Sequence, residues 1–224
     1  TVSYRGGTTV QNCKFTNNTV SGPIINYYTA TASMNASLLG CYFNNNSIAS
    51  GATAVNATCV YINNSSSGGT VTISGCLFDT NTNAYSTQSG ASAGLKSQGA
   101  GITNISNCVF KNNSGTAGTG SSSAVSLAST SSNLINCLVY GTPSGSKAAL
   151  YVTSGNVYNS TFVNNLGNGA FISNSTAANV KITNTVFWGT DGTASTGSGY
   201  IATSSATAVT LTNCAYNNIQ TAQT

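Results

Sequence analysis

Histidine and glutamate are absent from the 224 residues, and the acidic residues are Asp79 and Asp191 alone. Without histidine there is no Ser-His-Asp triad and no histidine-containing zinc site. Cleaving a polysaccharide with paired carboxylates, or with carboxylate-held calcium, needs acids brought together. In the repeat register derived below the two aspartates stand about four rungs apart, roughly 19 Å at about 4.8 Å per rung. Each sits in turn-forming sequence, Asp191 within Gly189-Thr190-Asp191-Gly192. The sequence therefore predicts no enzyme, no metal site and no cofactor.

Charge is scarce as well, at 4% of residues, with a formal net charge of +4. The cations Arg5, Lys14, Lys96, Lys111, Lys147 and Lys181 are spread along the chain and form no stripe that would follow a nucleic-acid backbone. Gly141-Thr142-Pro143-Ser144-Gly145-Ser146-Lys147 lacks the spacing and the Lys-Ser/Thr ending of a phosphate-binding loop and reads as a turn. No apolar run reaches membrane-span length, and no basic-then-apolar leader opens the chain. Only two prolines interrupt it, and no helical period is visible. Ser, Thr, Asn, Gly and β-branched residues suit strands and turns better than helices.

What is present is a repeat. Ile105-Ser106-Asn107-Cys108-Val109-Phe110-Lys111-Asn112-Asn113 typifies it, and the Cys108 slot recurs as Cys13, Cys41, Cys76, Cys108, Cys137, Ser160, Thr185 and Cys214. The spacings of 28, 35, 32, 29, 23, 25 and 29 residues are those of a solenoid. Three residues before the slot stand Val10, Leu38, Ile73, Ile105, Leu134, Val157, Ile182 and Leu211. Two residues after it stand Phe15, Phe43, Phe78, Phe110, Val139, Phe162, Phe187 and Tyr216. Immediately before it stand Asn12, Gly40, Gly75, Asn107, Asn136, Asn159, Asn184 and Asn213.

That last column carries a backbone argument. Side chains alternate faces along a strand, so the aliphatic column and the slot, an odd number of residues apart, cannot both point inward along one unbroken strand. A corner at the intervening residue restores the parity. A tight corner with positive φ is tolerated best by Gly and, among residues with side chains, by Asn. Stacked corners would align the asparagines as a ladder of hydrogen-bonded amides.

A second strand begins at Ile24-Ile25, and its equivalents in later repeats place a small residue before a larger apolar one: Ala54-Val55, Gly94-Leu95, Ala124-Val125, Ala149-Leu150, Ala170-Phe171 and Gly199-Tyr200-Ile201. The sequence thus predicts one all-β domain over residues 1–224, a single-stranded right-handed parallel β-helix of about eight coils with three strands each. At about 4.8 Å per coil its length would be about 38 Å. Six of the seven cysteines, Cys13, Cys41, Cys76, Cys108, Cys137 and Cys214, fall in the slot and read as free thiols in a core column, since Ser and Thr replace them there. Cys59 lies outside the column and reads as the candidate reactive thiol. Asn-x-Ser/Thr sequons are numerous, as this composition dictates. Tyr27, Tyr28, Tyr158 and Trp188 are candidates for a sugar-stacking surface.

The Asn-Cys-x-Phe-x-Asn-Asn unit resembles the parallel β-helix repeats of bacterial surface proteins, including polymorphic outer-membrane adhesins and Bacteroidetes-type surface β-helices. The adhesins' Phe-x-x-Asn signature is matched at Phe15 to Asn18, Phe43 to Asn46, Phe78 to Asn81, Phe110 to Asn113 and Phe162 to Asn165, and is missing at Phe187 and Tyr216. The resemblance implies an extracellular or cell-surface location, with adhesion or assembly as the activity; some β-helices are polysaccharide lyases or hydrolases, so a carbohydrate-active enzyme is the remaining alternative. Neither terminus carries a polar cap, so the chain reads as an excerpt of a longer rod or as a subunit that stacks end to end on copies of itself. A surface glycan or a ligand on a host or neighbouring cell is the alternative partner.

Overall fold

The computed structural model describes residues 1–5, 7–29, 35–52, 54–65, 69–88, 90–116, 122–143, 145–166, 180–188 and 209–216. Their regular elements are all strands, and every pairing between them is parallel. Each strand pairs with its equivalents in neighbouring repeats, which makes the chain a parallel β-solenoid.

The slot-to-Phe strands form one sheet of eight: Lys14–Thr16, Tyr42–Asn44, Leu77–Asp79, Val109–Lys111, Leu138–Tyr140, Thr161–Val163, Val186–Trp188 and Ala215–Tyr216. Phe43 lies in register with Phe15 and Phe78, and Phe78 with Phe110, as the repeat spacing demands. Changes in repeat length fall outside these slot-to-Phe strands and leave their register untouched.

The aliphatic strands and the small-then-apolar strands, read from the sequence as separate walls, belong to one sheet of twelve. In the earlier repeats a loop separates them, as between Val60–Asn64 and Thr70–Ser74. In the repeats that lead to Cys137 and to Ser160 no such loop remains, and Val125–Ile135 and Leu150–Tyr158 each run through both walls. Their mutual register shifts around Ala128. A third sheet of four two-residue strands, Thr19–Val20, Ser47–Ile48, Thr82–Asn83 and Ser114–Gly115, occupies what the sequence presents as polar turns. Two residues are too short for any hydrophobic period to show.

One register assignment is corrected. Ile25 and Leu95 both pair with Val60, so the second repeat's strand begins there and not at Ala54-Val55. The small residue before it is Cys59, equivalent to Gly94, Ala124 and Ala149. A Cβ added at Gly94 would collide with the carbonyl oxygen of Ala124, which explains the glycine at that member of the column. The corresponding strands proposed at Ala170-Phe171 and Gly199-Tyr200-Ile201 lie outside the described residues.

The interior is one continuous apolar column that includes Leu38, Ile73, Ile105, Leu134, Val157 and Ile182 from one wall and Phe43, Phe78, Phe110, Phe162 and Phe187 from another. No helix among the described residues is long and apolar enough to cross a membrane.

Candidate functional site: the ladders and the outer face

All eight residues before the slot have positive φ, from 50° at Asn159 to 64° at Gly75. A second corner column, four residues after the slot, behaves the same way: Asn17, Asn45, Thr80, Asn112, Gly141 and Asn164 have φ between 51° and 72°. A left-handed corner turns the next residue's N–H out of the ordinary sheet ladder, so each corner leaves a buried donor needing an acceptor.

The slot supplies one. Cys13 N donates to Cys41 Sγ at 3.5 Å, Cys41 N to Cys76 Sγ at 3.4 Å, Cys137 N to Ser160 Oγ at 3.1 Å and Ser160 N to Thr185 Oγ1 at 3.5 Å. Each slot side chain also donates to the carbonyl two residues before it, as in Cys108 to Ser106 at 3.2 Å, Ser160 to Tyr158 at 2.8 Å and Thr185 to Thr183 at 3.0 Å. The slot therefore selects a small side chain that both donates and accepts, which Cys, Ser and Thr share. All seven cysteines are free thiols. Hydrogen bonds to Cys137 and Cys76, reinforced by burial, push the Cys108 thiol up.

After the second corner the acceptor is an asparagine amide. Asn46 N and Nδ2 both donate to Asn81 Oδ1, at 3.1 and 2.9 Å, and Asn81 N and Nδ2 both donate to Asn113 Oδ1 at 3.0 Å. Asn18 donates likewise to Asn46. The same Nδ2 groups reach back to Phe carbonyls, Asn81 to Phe43 at 3.0 Å and Asn113 to Phe78 at 2.9 Å. Asn46, Asn81, Asn113 and Asn165 are buried. This inner ladder is the Phe-x-x-Asn signature seen in the sequence, where it carried a resemblance but no structural role.

The outer corner asparagines stack more loosely. Asn136 Nδ2 donates to Asn107 Oδ1 at 2.7 Å and Asn184 Nδ2 to Asn159 Oδ1 at 3.1 Å, all four being exposed. Asn12 Oδ1 lies over Gly40, close enough that a Cβ there would meet it at 2.7 Å. Asn213 occupies the last described corner, with φ of 51°. Inside, the phenylalanine rings stack with centroids 4.8 Å apart for Phe15 and Phe43, 4.9 Å for Phe43 and Phe78, 4.6 Å for Phe78 and Phe110, and 4.9 Å for Phe162 and Phe187. Val139 interrupts the pile between Phe110 and Phe162.

On the outside of the slot-to-Phe sheet, Asn107, Asn136 and Asn159 edge a shallow groove of about 390 Å³ whose floor includes Val109, Leu138 and Thr161. Val186 continues the row, and Trp188, 56% exposed, stands two residues further along its strand. Of the aromatics proposed as a sugar platform, Trp188 and Tyr28 are exposed, whereas Tyr27 is buried and its hydroxyl donates to Ser37 O at 2.9 Å. Lys111 Nζ lies 3.6 Å from Asp79 Oδ2. Cys59, expected to be the reactive thiol, is fully buried, and burial raises its pKa well above the ordinary thiol value. Asp191 lies outside the described residues, and no group of three or more metal-ligating side chains occurs among those described. The chain matches no protein-family model, no curated protein and no solved structure.

Proposed function

We propose that this chain is an extracellular structural rod, a right-handed β-helix of about eight coils that extends by stacking end to end into a filament or stalk at the cell surface. The observation that carries the reading is the polarity of the ladders. The N–H after each corner takes a side-chain acceptor from the next rung toward the C-terminus, which gives these ladders a direction along the rod. Cys41 and Asn46, which have a rung on each side, are buried. Ladders with a direction suit a head-to-tail contact between copies, the kind that generates open filaments. The edge strands Thr9–Gln11, Thr19–Val20 and Val209–Thr212 carry no charge to discourage such pairing, while Val2–Arg5 and Lys14–Thr16 carry one cation each.

Light scattering over a concentration series tests this. Average mass should grow with concentration, and Phe15→Lys, which puts a charge on the partly buried first ring of the stack, should hold the chain near monomer mass. A mass that stays monomeric across the series, with or without the substitution, contradicts the proposal.

Glycan binding is the second reading, favoured by the groove beside Trp188. Neutral amides and hydroxyls over an apolar floor, next to an exposed indole, suit a neutral sugar polymer lying along the sheet.

A further inference from the structure

Lys96 is the one lysine among the described residues that the protein buries, at 5% exposure. It lies on the outward side of Leu95–Gln98, in register with Tyr61 and Ser126, under the segment that contains Gly90. A Cβ placed at Gly90 would sit 3.6 Å from Lys96 Nζ, 3.4 Å from Ser126 Oγ and 3.5 Å from the Tyr151 ring, so those groups crowd one covered space. Lys96 Nζ is 2.9 Å from Asn56 Oδ1, a contact spanning 40 residues of chain. The asparagine is anchored independently. Its carbonyl accepts from Ser92 N at 3.1 Å, and Ala57 bridges to Ser92.

We propose that Lys96 and Asn56 are the two halves of an intramolecular isopeptide crosslink that forms after folding. The carboxamide carbon lies one C=O bond, about 1.23 Å, beyond Oδ1, which keeps it within about 4 Å of Nζ. The neutral amine attacks Asn56 Cγ, the Nζ–Cγ bond forms and the Cγ–Nδ2 bond breaks. One proton moves from Nζ to the departing nitrogen, which leaves as ammonia. Atoms balance without an oxidant, a reductant or a co-reactant.

Three features favour the step. Burial lowers the Lys96 pKa to about 8, so a large share of the amine is neutral in mildly alkaline solution. The two groups are held at contact by backbone from different repeats, which replaces a bimolecular encounter with a fixed approach. Ser126 Oγ, buried and without a hydrogen-bond partner, shares the covered space beside Gly90 with the amine and is the hydroxyl we assign as proton relay once the amine moves toward Cγ. Asp79 is engaged with Lys111 on the other sheet. A neutral relay makes the reaction slow, so it accumulates as the folded protein ages and runs faster at pH 9 than at pH 7.

The experiment is intact-mass measurement and peptide mapping of the full chain, folded and incubated at pH 9. The expected result is loss of one ammonia, together with a branched peptide joining the Asn56 and Lys96 segments. That branched peptide is absent from Lys96→Arg and Asn56→Ala and appears several-fold more slowly in Ser126→Ala. Succinimide formation at Asn56 loses the same mass but yields no branched peptide and persists in Lys96→Arg. Finding that pattern, or no mass loss after prolonged incubation of the folded wild-type chain, overturns the proposal. The crosslink joins positions within one chain, so its presence is independent of whether chains stack.

Discussion

Asn81 and Asn136 are the same residue type about two rungs apart, yet the rod asks different things of them. Asn81 is buried, accepts two hydrogen bonds from Asn46 and donates to Phe43 O and Asn113 Oδ1. Asn81→Ala leaves several buried groups unpaired and should cost about 3–5 kcal/mol, at about 1–3 kcal/mol for each unpaired group with partial relaxation. Asn136 is exposed and mainly supplies a backbone with φ of 51°. Asn136→Gly should change stability by less than about 1 kcal/mol, whereas Asn136→Ala should cost about 1–2 kcal/mol because alanine resists the left-handed conformation. Urea unfolding of the three variants checks the order. Lys96 makes a prediction at the same scale. In the chain that has not crosslinked, the folded-state Lys96 pKa of about 8 lies below the unfolded value of about 10.5. Between those values the unfolded chain binds more protons, so stability should rise with pH from about 8 to about 10.5, by up to about 3 kcal/mol. Unfolding followed across that window, with Lys96→Met as the reference lacking the titration, measures it.

At the scale of the element, the unit is a strand, a left-handed corner and the residue after the corner whose N–H needs an acceptor. Cys76 fills that need for Cys41 N. Cys76→Ala should therefore cost about 1–3 kcal/mol by orphaning a buried donor, whereas Cys76→Ser should cost less because a hydroxyl retains both donor and acceptor. Denaturation of the pair under reducing conditions separates a hydrogen-bonding slot from one that only fills space. Much of this unit was legible in the sequence. The Asn/Gly column implied positive φ through parity alone, and the spacing of Phe15, Phe43, Phe78 and Phe110 implied the ring stack. The second corner was not legible, because Asn17, Asn45, Thr80, Asn112, Gly141 and Asn164 include a threonine and look like an ordinary polar turn. Nor was the inner ladder, since an asparagine's burial is invisible in a sequence where asparagine is everywhere. The Ala54-Val55 assignment failed because a small-then-apolar pair is a weak signal, and Cys59-Val60 satisfied the same pattern five residues later. Cys59 thereby passed from apparent outlier to ordinary member of a core column.

At the scale of the whole molecule, the ladders give the rod a direction. The N–H groups after the corners take their side-chain acceptors from the following rung, so a stack of chains should be polar, with every copy pointing the same way. The rod's low charge and continuous core are what a stacking unit needs, and they leave little for acid-base chemistry to use. The most direct measurement is cryo-electron microscopy of the assembled chain at a resolution that separates strands. The account predicts head-to-tail filaments in which the sheets run through each junction at about 4.8 Å per rung, with Phe15 of one copy seated on the final rung of the next. Dispersed single particles at high concentration, or assemblies joined side by side with those edge strands left open, would contradict it.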